Sequence, residues 1–548
     1  MARPGDRLLS SVIRRDWRWV FLVTTAVVGT TCALLIPNAL AKAVDMALAG
    51  TLDAPTVLWL LTVTGTEIAV DTASIVVAAG LTSRATAWLR HRVAHHLLRL
   101  GHPAPFAAGD GVSRLTGDSA IAGGFAVLLV NLGITVVSSA GAVVALALLD
   151  WRLAVVFLAS VPFGLLLVRT HMRLTADDVL AYQQVSGDLA ARLLDAVGGL
   201  RTIAASGTAE QEATRVLRPL PDLAAAGIGM WRTQARMIWR AGLLVPTVQL
   251  SVLTAAGFGV VAGRISVGSM LAVLGYTALA MGIVGQLSQL TTLERTRASG
   301  TRLAEVLDSP APAHGELVLP AGAGDLDIRG VYDVDLHVPA GTFLAVVGRS
   351  GSGKSTLASA IGGLSTPARG QVLLDGVPLS DLTSGSLHAA VGVAFERPAL
   401  LGGTVADSVG YGIAVEDALV RAACEAAQVH DVVVRLPDGY ATPMADTPLS
   451  GGEAQRLGLA RAIVRDPRVL VLDDATASLD TVTESKVDQA IDSALPGRTR
   501  VVVTHRAATA TRADVVVWME DGHVRGTGTH DDLWQHPDYR SVFTGGDA

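Results

Sequence analysis

Gly348-Arg349-Ser350-Gly351-Ser352-Gly353-Lys354-Ser355-Thr356 decides how this chain is read. Its glycines let backbone N–H groups close around a polyphosphate. Lys354 supplies a cation for the β- and γ-phosphates, and Ser355 a hydroxyl for Mg2+. The flanks match: Phe343-Leu344-Ala345-Val346-Val347 reads as a buried strand and Thr356-Leu357-Ala358-Ser359-Ala360-Ile361 as a helix. The loop therefore sits at a helix N-terminus, whose partial positive charge favours phosphate. An ordinary glycine-rich turn lacks that setting. The expectation is an ATP and Mg2+ site in a P-loop α/β domain.

Upstream of this domain the composition changes. Half of the 548 residues are hydrophobic and the mean hydropathy is +0.45, too apolar for an average soluble enzyme. Apolar runs near 20–41, 55–81, 121–149, 152–169, 239–262 and 266–290 predict six membrane-spanning helices. The first run, behind Arg3, Arg7, Arg14, Arg15 and Arg18, is too long for a signal-peptide core and is followed by further spans. Arginines cluster between spans two and three (Arg84, Arg90, Arg92, Arg99, Arg114) and between four and five (Arg173, Arg192, Arg201, Arg215, Arg218, Arg232, Arg236). The positive-inside rule makes those segments cytoplasmic, with the N-terminus and the P-loop domain on the same side. Helical patterning at Leu189, Leu193, Leu194 and Val197 extends the spans into the cytoplasm. A net charge of −6 without blocks of like charge disfavours a nucleic-acid partner. Two cysteines, Cys32 and Cys424, exclude a disulfide framework.

Glu67 and Asp71 stand four residues apart in the second apolar run, on one helix face. Carboxylates at that depth either line a substrate path, favouring a cationic substrate, or are protonated or hydrogen-bonded between helices. Ser309-Pro310-Ala311-Pro312-Ala313 and Gly322-Ala323-Gly324 mark a linker over 298–325, between a membrane domain at 1–297 and a nucleotide domain at 326–548.

Downstream of the loop, Val469-Leu470-Val471-Leu472 runs into Asp473-Asp474. A buried parallel strand thus delivers two carboxylates to its C-terminal end, where such sheets bind ligands. Asp473 is the expected Mg2+ partner and Asp474 the water-polarising group. Leu449-Ser450-Gly451-Gly452-Glu453 opens another helix, with Ser450 as its cap and the glycines leaving its positive end open to phosphate.

Together these motifs resemble the ATP-binding cassette (ABC) superfamily, in its exporter-type half-transporter form. The resemblance covers both halves. Gly109-Asp110-Gly111-Val112-Ser113-Arg114-Leu115-Thr116-Gly117-Asp118 and Gly199-Leu200-Arg201-Thr202-Ile203 are similar to cytoplasmic-loop sequences of the family, Ala477-Ser478-Leu479-Asp480 to its D-loop, and Val503-Thr504-His505-Arg506 to its switch histidine. The resemblance implies a multidomain chain: an all-α six-helix transmembrane domain followed by an α/β P-loop ABC nucleotide-binding domain, multi-pass in a bacterial inner membrane. It also implies a head-to-tail dimer, each ATP lying between one chain's Walker motifs and the other's Ser450, Gly451, Gly452 and Glu453, and ATP-driven transport, by analogy export, of a small molecule or peptide-like substrate. A siderophore-type importer on the same layout, or a regulator or gated channel with little hydrolysis, is the alternative.

Several positions depart from the pattern. Asp474 replaces the usual glutamate, and Glu396 replaces the Q-loop glutamine, where it would add charge beside the metal. The adenine-stacking aromatic has no counterpart between Tyr276 and Tyr332, and the stretch 439–446 before the signature is short. Three of these changes lie on the Walker side while the signature is nearly intact, which favours a heterodimer with this chain holding the weaker site. His505, retained, argues for the homodimer.

Overall fold

The computed structural model describes residues 4–101, 105–285, 287–312, 315–367 and 369–544. Two compact units divide the chain, Met1–Leu97 with Phe106–Ser309, and Leu98–Pro105 with Pro310–Ala548.

The first unit is helical. Pro4–Arg15 is a short amphipathic helix with Asp6 in its first turn and Arg14 and Arg15 in its last, the arrangement its dipole favours. Leu8, Leu9 and Val12 pack with Leu89, Val93, Leu303 and Val306. The approach is close: a Cβ on Gly300 would lie 2.9 Å from Leu9 Cγ, and one on Gly5 2.7 Å from the Thr301 amide.

Arg18–Leu48, Ala54–Arg99, Phe125–Leu149, Trp151–Gly198, Leu220–Val261 and Val267–Gly285 then place a helix on each of the six apolar runs. Among the described residues, three stretches are long and apolar enough to cross a membrane, while Trp151–Phe163, Val245–Val261 and Val267–Ile283 are shorter apolar helices. Side chains at 167–180, Arg173 included, and at 284–288 lie outside the described residues. Trp151–Gly198 has 48 residues and Leu220–Val261 has 42. At 1.5 Å per residue each reaches about 60–70 Å, twice the ~30 Å of hydrocarbon, so both helices continue well past a bilayer. Pro37 interrupts the ladder of Arg18–Leu48, and the Tyr276 hydroxyl donates to the nearby Leu34 carbonyl at 2.9 Å. Such internal partners are what a helix needs where water is absent. The last helix, Leu287–Asp308, continues through residues 298–308, and the two units meet in sequence between Ser309 and Pro310.

The second unit carries two sheets. A small antiparallel sheet has the order β2-β1-β4-β5, from β1 Leu326–Val331, β2 Val334–Val338, β4 Gln371–Leu374 and β5 Val377–Pro378. The larger has the order β10-β9-β3-β8-β7-β6, from β3 Phe343–Gly348, β6 Val391–Phe395, β7 Val469–Asp473, β8 Thr499–Val503, β9 Val515–Glu520 and β10 His523–Gly528. Its strands are parallel except β10. Every residue of β3 is buried, as expected for a central parallel strand covered on both faces. The ends of β3, β6, β7 and β8 therefore converge on one edge, and the loops that follow them carry the chemistry.

Candidate nucleotide site

β3 delivers the loop Gly348–Thr356. A Cβ at Gly348 would meet the Met519 carbonyl oxygen at 2.3 Å, and Gly353 has φ +94°, so neither position accepts a side chain without strain. Gly353 caps the helix Lys354–Ile361. The Lys354 amine turns back into its own loop, donating to the Gly348 carbonyl at 2.9 Å and the Arg349 carbonyl at 2.8 Å. Burial lowers its pKa, opposed by the charges of Asp474 and Asp473. Arg349 reaches Ser541 Oγ at 3.0 Å, tying the loop to the C-terminal helix Pro537–Phe543.

β7 ends on Asp473, whose Oδ1 accepts from Ser355 Oγ at 2.9 Å. Burial raises the pKa of Asp473, and the neighbouring charges of Asp474 and Glu396 add to this, while the Ser355 bond and Lys354 oppose it. The convergence of one serine hydroxyl and one carboxylate fits Mg2+, which takes few protein ligands and fills its octahedron with phosphate and water oxygens. No cluster of three or more His, Cys, Asp or Glu occurs among the described residues, so an all-protein metal cage is not what this site offers.

Asp474 leaves the strand with φ +49°, a left-handed conformation uncommon outside glycine. That turn sends its carboxylate toward His505, whose Nδ1 lies 3.3 Å from Oδ1. Glu396 follows β6. Its side chain is exposed and only 3.9 Å from Arg397 Nε, a loose pair, while its backbone carbonyl accepts from Gln455 Nε2 at 2.8 Å.

Ser450 caps the helix Gly451–Ile463 with a reciprocal box: Glu453 N–H donates to Ser450 Oγ at 3.3 Å, and Ser450 N–H to Glu453 Oε2 at 2.8 Å. Asp480 caps Thr481–Ala494, accepting from the Val482 and Thr483 amides at 3.0 and 2.9 Å. Among the described residues no hydrogen bond or ion pair joins 450–453 to 348–356 within this chain. Glu67 and Asp71 belong to the other unit, on the helix Ala54–Arg99; Glu67 is half-buried and Asp71 exposed.

The residues that hold these loops in place stand outside the motifs' binding residues. Gln455, buried, donates to the Glu396 carbonyl and accepts from the Ser478 amide at 3.0 Å, joining the loops after β6 and β7. Arg506 donates to the Ala477 and Leu479 carbonyls at 2.9 and 2.7 Å and pairs with Glu484. A polar glutamine on the buried face of a helix, and an arginine directly after the switch histidine, were the available signals. Tyr332 and Asp333, with φ +51° and +59°, form the two-residue turn between β1 and β2. Asp333 Oδ2 lies 3.3 Å from His523 Nδ1, and the next residue back, Gly522, donates its amide to the Ser352 carbonyl at 3.2 Å. The hairpin tip is thus tethered to the turn that packs on the phosphate loop.

Comparison with known proteins agrees with this geometry. Residues 331–477 match the family described as ABC transporter, and residues 19–284 the ABC transporter transmembrane region. Over 544 residues the chain is 41% identical to the ABC transporter ATP-binding protein RamA of Streptomyces coelicolor, covering 96% of this chain and 85% of that one. Over 438 residues it is 32% identical to an ATP-dependent lipid A-core flippase of Ralstonia nicotianae, covering 74% and 73%. The fold matches a bacterial Atm1-family ABC exporter with ATP bound at a TM-score of 0.78 and 23% identity, over 98% of this chain and 100% of the other. The chain therefore belongs to the ABC transporters: an ATP-hydrolysing, multi-pass membrane half-transporter of the exporter type, with its membrane helices and its nucleotide-binding domain in one polypeptide.

Proposed function

We propose that this chain is the weak-site subunit of a heterodimeric exporter in a bacterial inner membrane, moving a small molecule or peptide-like substrate outward. The observation that carries this reading is Asp474. It stands where the hydrolytic water must be polarised and faces His505 at 3.3 Å, on a side chain one methylene shorter than glutamate. Displacing such a group by about 1 Å costs on the order of 10²-fold in rate. Glu396, exposed beside Asp473, adds negative charge where a neutral amide is usual, a second reason for slow turnover here.

In this reading Lys354 leaves its loop carbonyls for the phosphates, and Ser355 with Asp473 would hold Mg2+, which when bound neutralises phosphate charge. Asp474 and His505 orient water and the terminal phosphate. Ser450, Gly451 and Gly452 serve the partner's nucleotide, since among the described residues no hydrogen bond or ion pair joins them to the phosphate loop of their own chain. Glu67 and Asp71 are offered as the lining of the substrate path: among the described residues neither has a hydrogen bond or ion pair, which suits a cavity better than a helix seam. A relative that flips lipid A-core is compatible with an amphipathic cargo carrying a charged group.

Transport into inside-out vesicles, driven by ATP, tests the reading. Lys354→Ala should abolish this subunit's nucleotide contribution, and Glu67→Gln with Asp71→Asn should lower substrate-stimulated ATPase. Brisk signature-dependent hydrolysis by the chain purified alone defeats the weak-site assignment, and ATP binding without any transport favours a regulator.

A further inference from the structure

We propose that Arg15 and Arg92, gathered on the indole of Trp88, form a binding site for the phosphate of an anionic phospholipid at the membrane boundary. The Arg15 guanidinium carbon lies 5.0 Å from the Trp88 ring centre and that of Arg92 lies 5.5 Å from it. Each such contact is favourable alone, but two like charges on one ring repel. The repulsion is not relieved from within: among the described residues neither arginine has an ion pair with a carboxylate. The helix Ala54–Arg99 bears no acid after Asp71, and its exposed stripe at Arg84, His91, Arg92 and His95 adds further basic character. Asp16, the nearest acid in sequence, is engaged in accepting from the Arg18 amide at 3.1 Å. Two unpaired guanidiniums on one rigid plane suit a phosphate group with two free oxygens, the geometry arginine recognises best.

The depth selects the source of that anion. Arg15 ends the amphipathic helix Pro4–Arg15, and the apolar run of the next helix starts at Val20, with Trp17 exposed between them. Trp88 follows Leu81, the last buried apolar residue of its span, by seven positions, or about 10 Å. Side chains on a helix lean toward its N-terminus, so Arg92 leans back toward the span and onto Trp88. Arginine and tryptophan at this level are the residues that meet headgroups.

The test uses the full-length transporter in its assembled form. Wild-type protein in nanodiscs of phosphatidylcholine with 10–30% phosphatidylglycerol, roughly the anionic content over which a surface potential develops, is released into native mass spectrometry. Retained phosphatidylglycerol in excess of its bulk fraction is expected, and retention in proportion to bulk overturns the proposal. Arg15→Gln with Arg92→Gln should reduce the excess about 25-fold, from about fivefold per guanidinium near an anionic surface. Arg218→Gln with Arg232→Gln, removing the same charge elsewhere, should leave it unchanged. Arg15→Lys with Arg92→Lys, keeping the charge but not the fork, should fall between. Displacement of the lipid by millimolar inorganic phosphate would reassign the site to a soluble anion and overturn the lipid claim. Should the double glutamine variant fail to assemble, the wild-type enrichment and the lysine variant still decide.

Discussion

At the scale of single residues, Asp473 binds two properties together. Burial holds its pKa above the ordinary carboxylate value, so it disfavours the charged form that metal binding needs. A carboxyl whose folded pKa is raised contributes stability while protonated and loses it as pH rises from the unfolded pKa through the folded one. Asp473→Asn, neutral at every pH, should therefore melt about 2 °C higher than wild type near pH 7, a modest gain because the group is only partly buried and solvent screens it. Hydrolysis should vanish in the same variant, read as phosphate release, and the stability gain should fade in acid, read by differential scanning calorimetry across pH. At the neighbouring position, Asp474→Glu should restore the missing reach and raise single-turnover hydrolysis on this side by tenfold or more. Tyr332, exposed on the left-handed turn between β1 and β2, is proposed as the aromatic that stacks on the base. Tyr332→Ala should raise the KM for ATP about tenfold with kcat little changed, while Tyr332→Phe should not, since stacking of a base on an aromatic is worth about 1–3 kcal/mol.

At the scale of elements, how much could be read depended on whether the signal was local. The phosphate loop, the Asp473-Asp474 strand and the six apolar runs each advertise themselves in a dozen residues, and the structure places a strand, a loop or a helix on each. The stretch 109–118 was legible as a cytoplasmic-loop sequence but not as what it does. Arg114, buried, donates to Asp110 at 2.8 Å, to Glu305 at 3.0 Å and to the Arg302 carbonyl, lies over Phe106, and opens a π-helical turn through Asp118. Two of its partners, Arg302 and Glu305, stand nearly two hundred residues away, a distance over which no periodicity carries information. Arg302 and Ser299 complete the cluster on Asp118. Arg114→Leu should destabilise the helical unit by removing the guanidinium's bonds to Asp110, Glu305 and the Arg302 carbonyl, seen as a lower melting temperature in detergent. Gly300→Leu should also destabilise it, because even a Cβ there would press to 2.9 Å from Leu9 Cγ. The N-terminal helix was likewise hidden, its arginines reading as topology signal while its leucines built a packed seam.

At the scale of the whole molecule, the proposed asymmetry between a weaker Walker side and an intact signature separates the two dimer types. In a head-to-tail dimer the signature of this chain serves the partner's nucleotide, whereas Asp474 serves its own. Gly451 offers a clean way to perturb the first: a Cβ there meets nothing within 4 Å in this chain, so Gly451→Ala adds a methyl group only to the surface a partner's phosphate would approach. Helix propensity favours alanine over glycine, and Ser450 keeps its capping box, so the cassette itself should be no less stable. In a heterodimer with a weak site here, Gly451→Ala should abolish most of the steady-state ATPase, because it strikes the competent site in trans. Asp474→Asn should remove only a small remainder. In a homodimer both sites contain both residues, and the two variants should fall together. Measuring the pair in the assembled transporter, with melting temperatures as the control for folding, therefore reads the dimer type from the ratio of two rates.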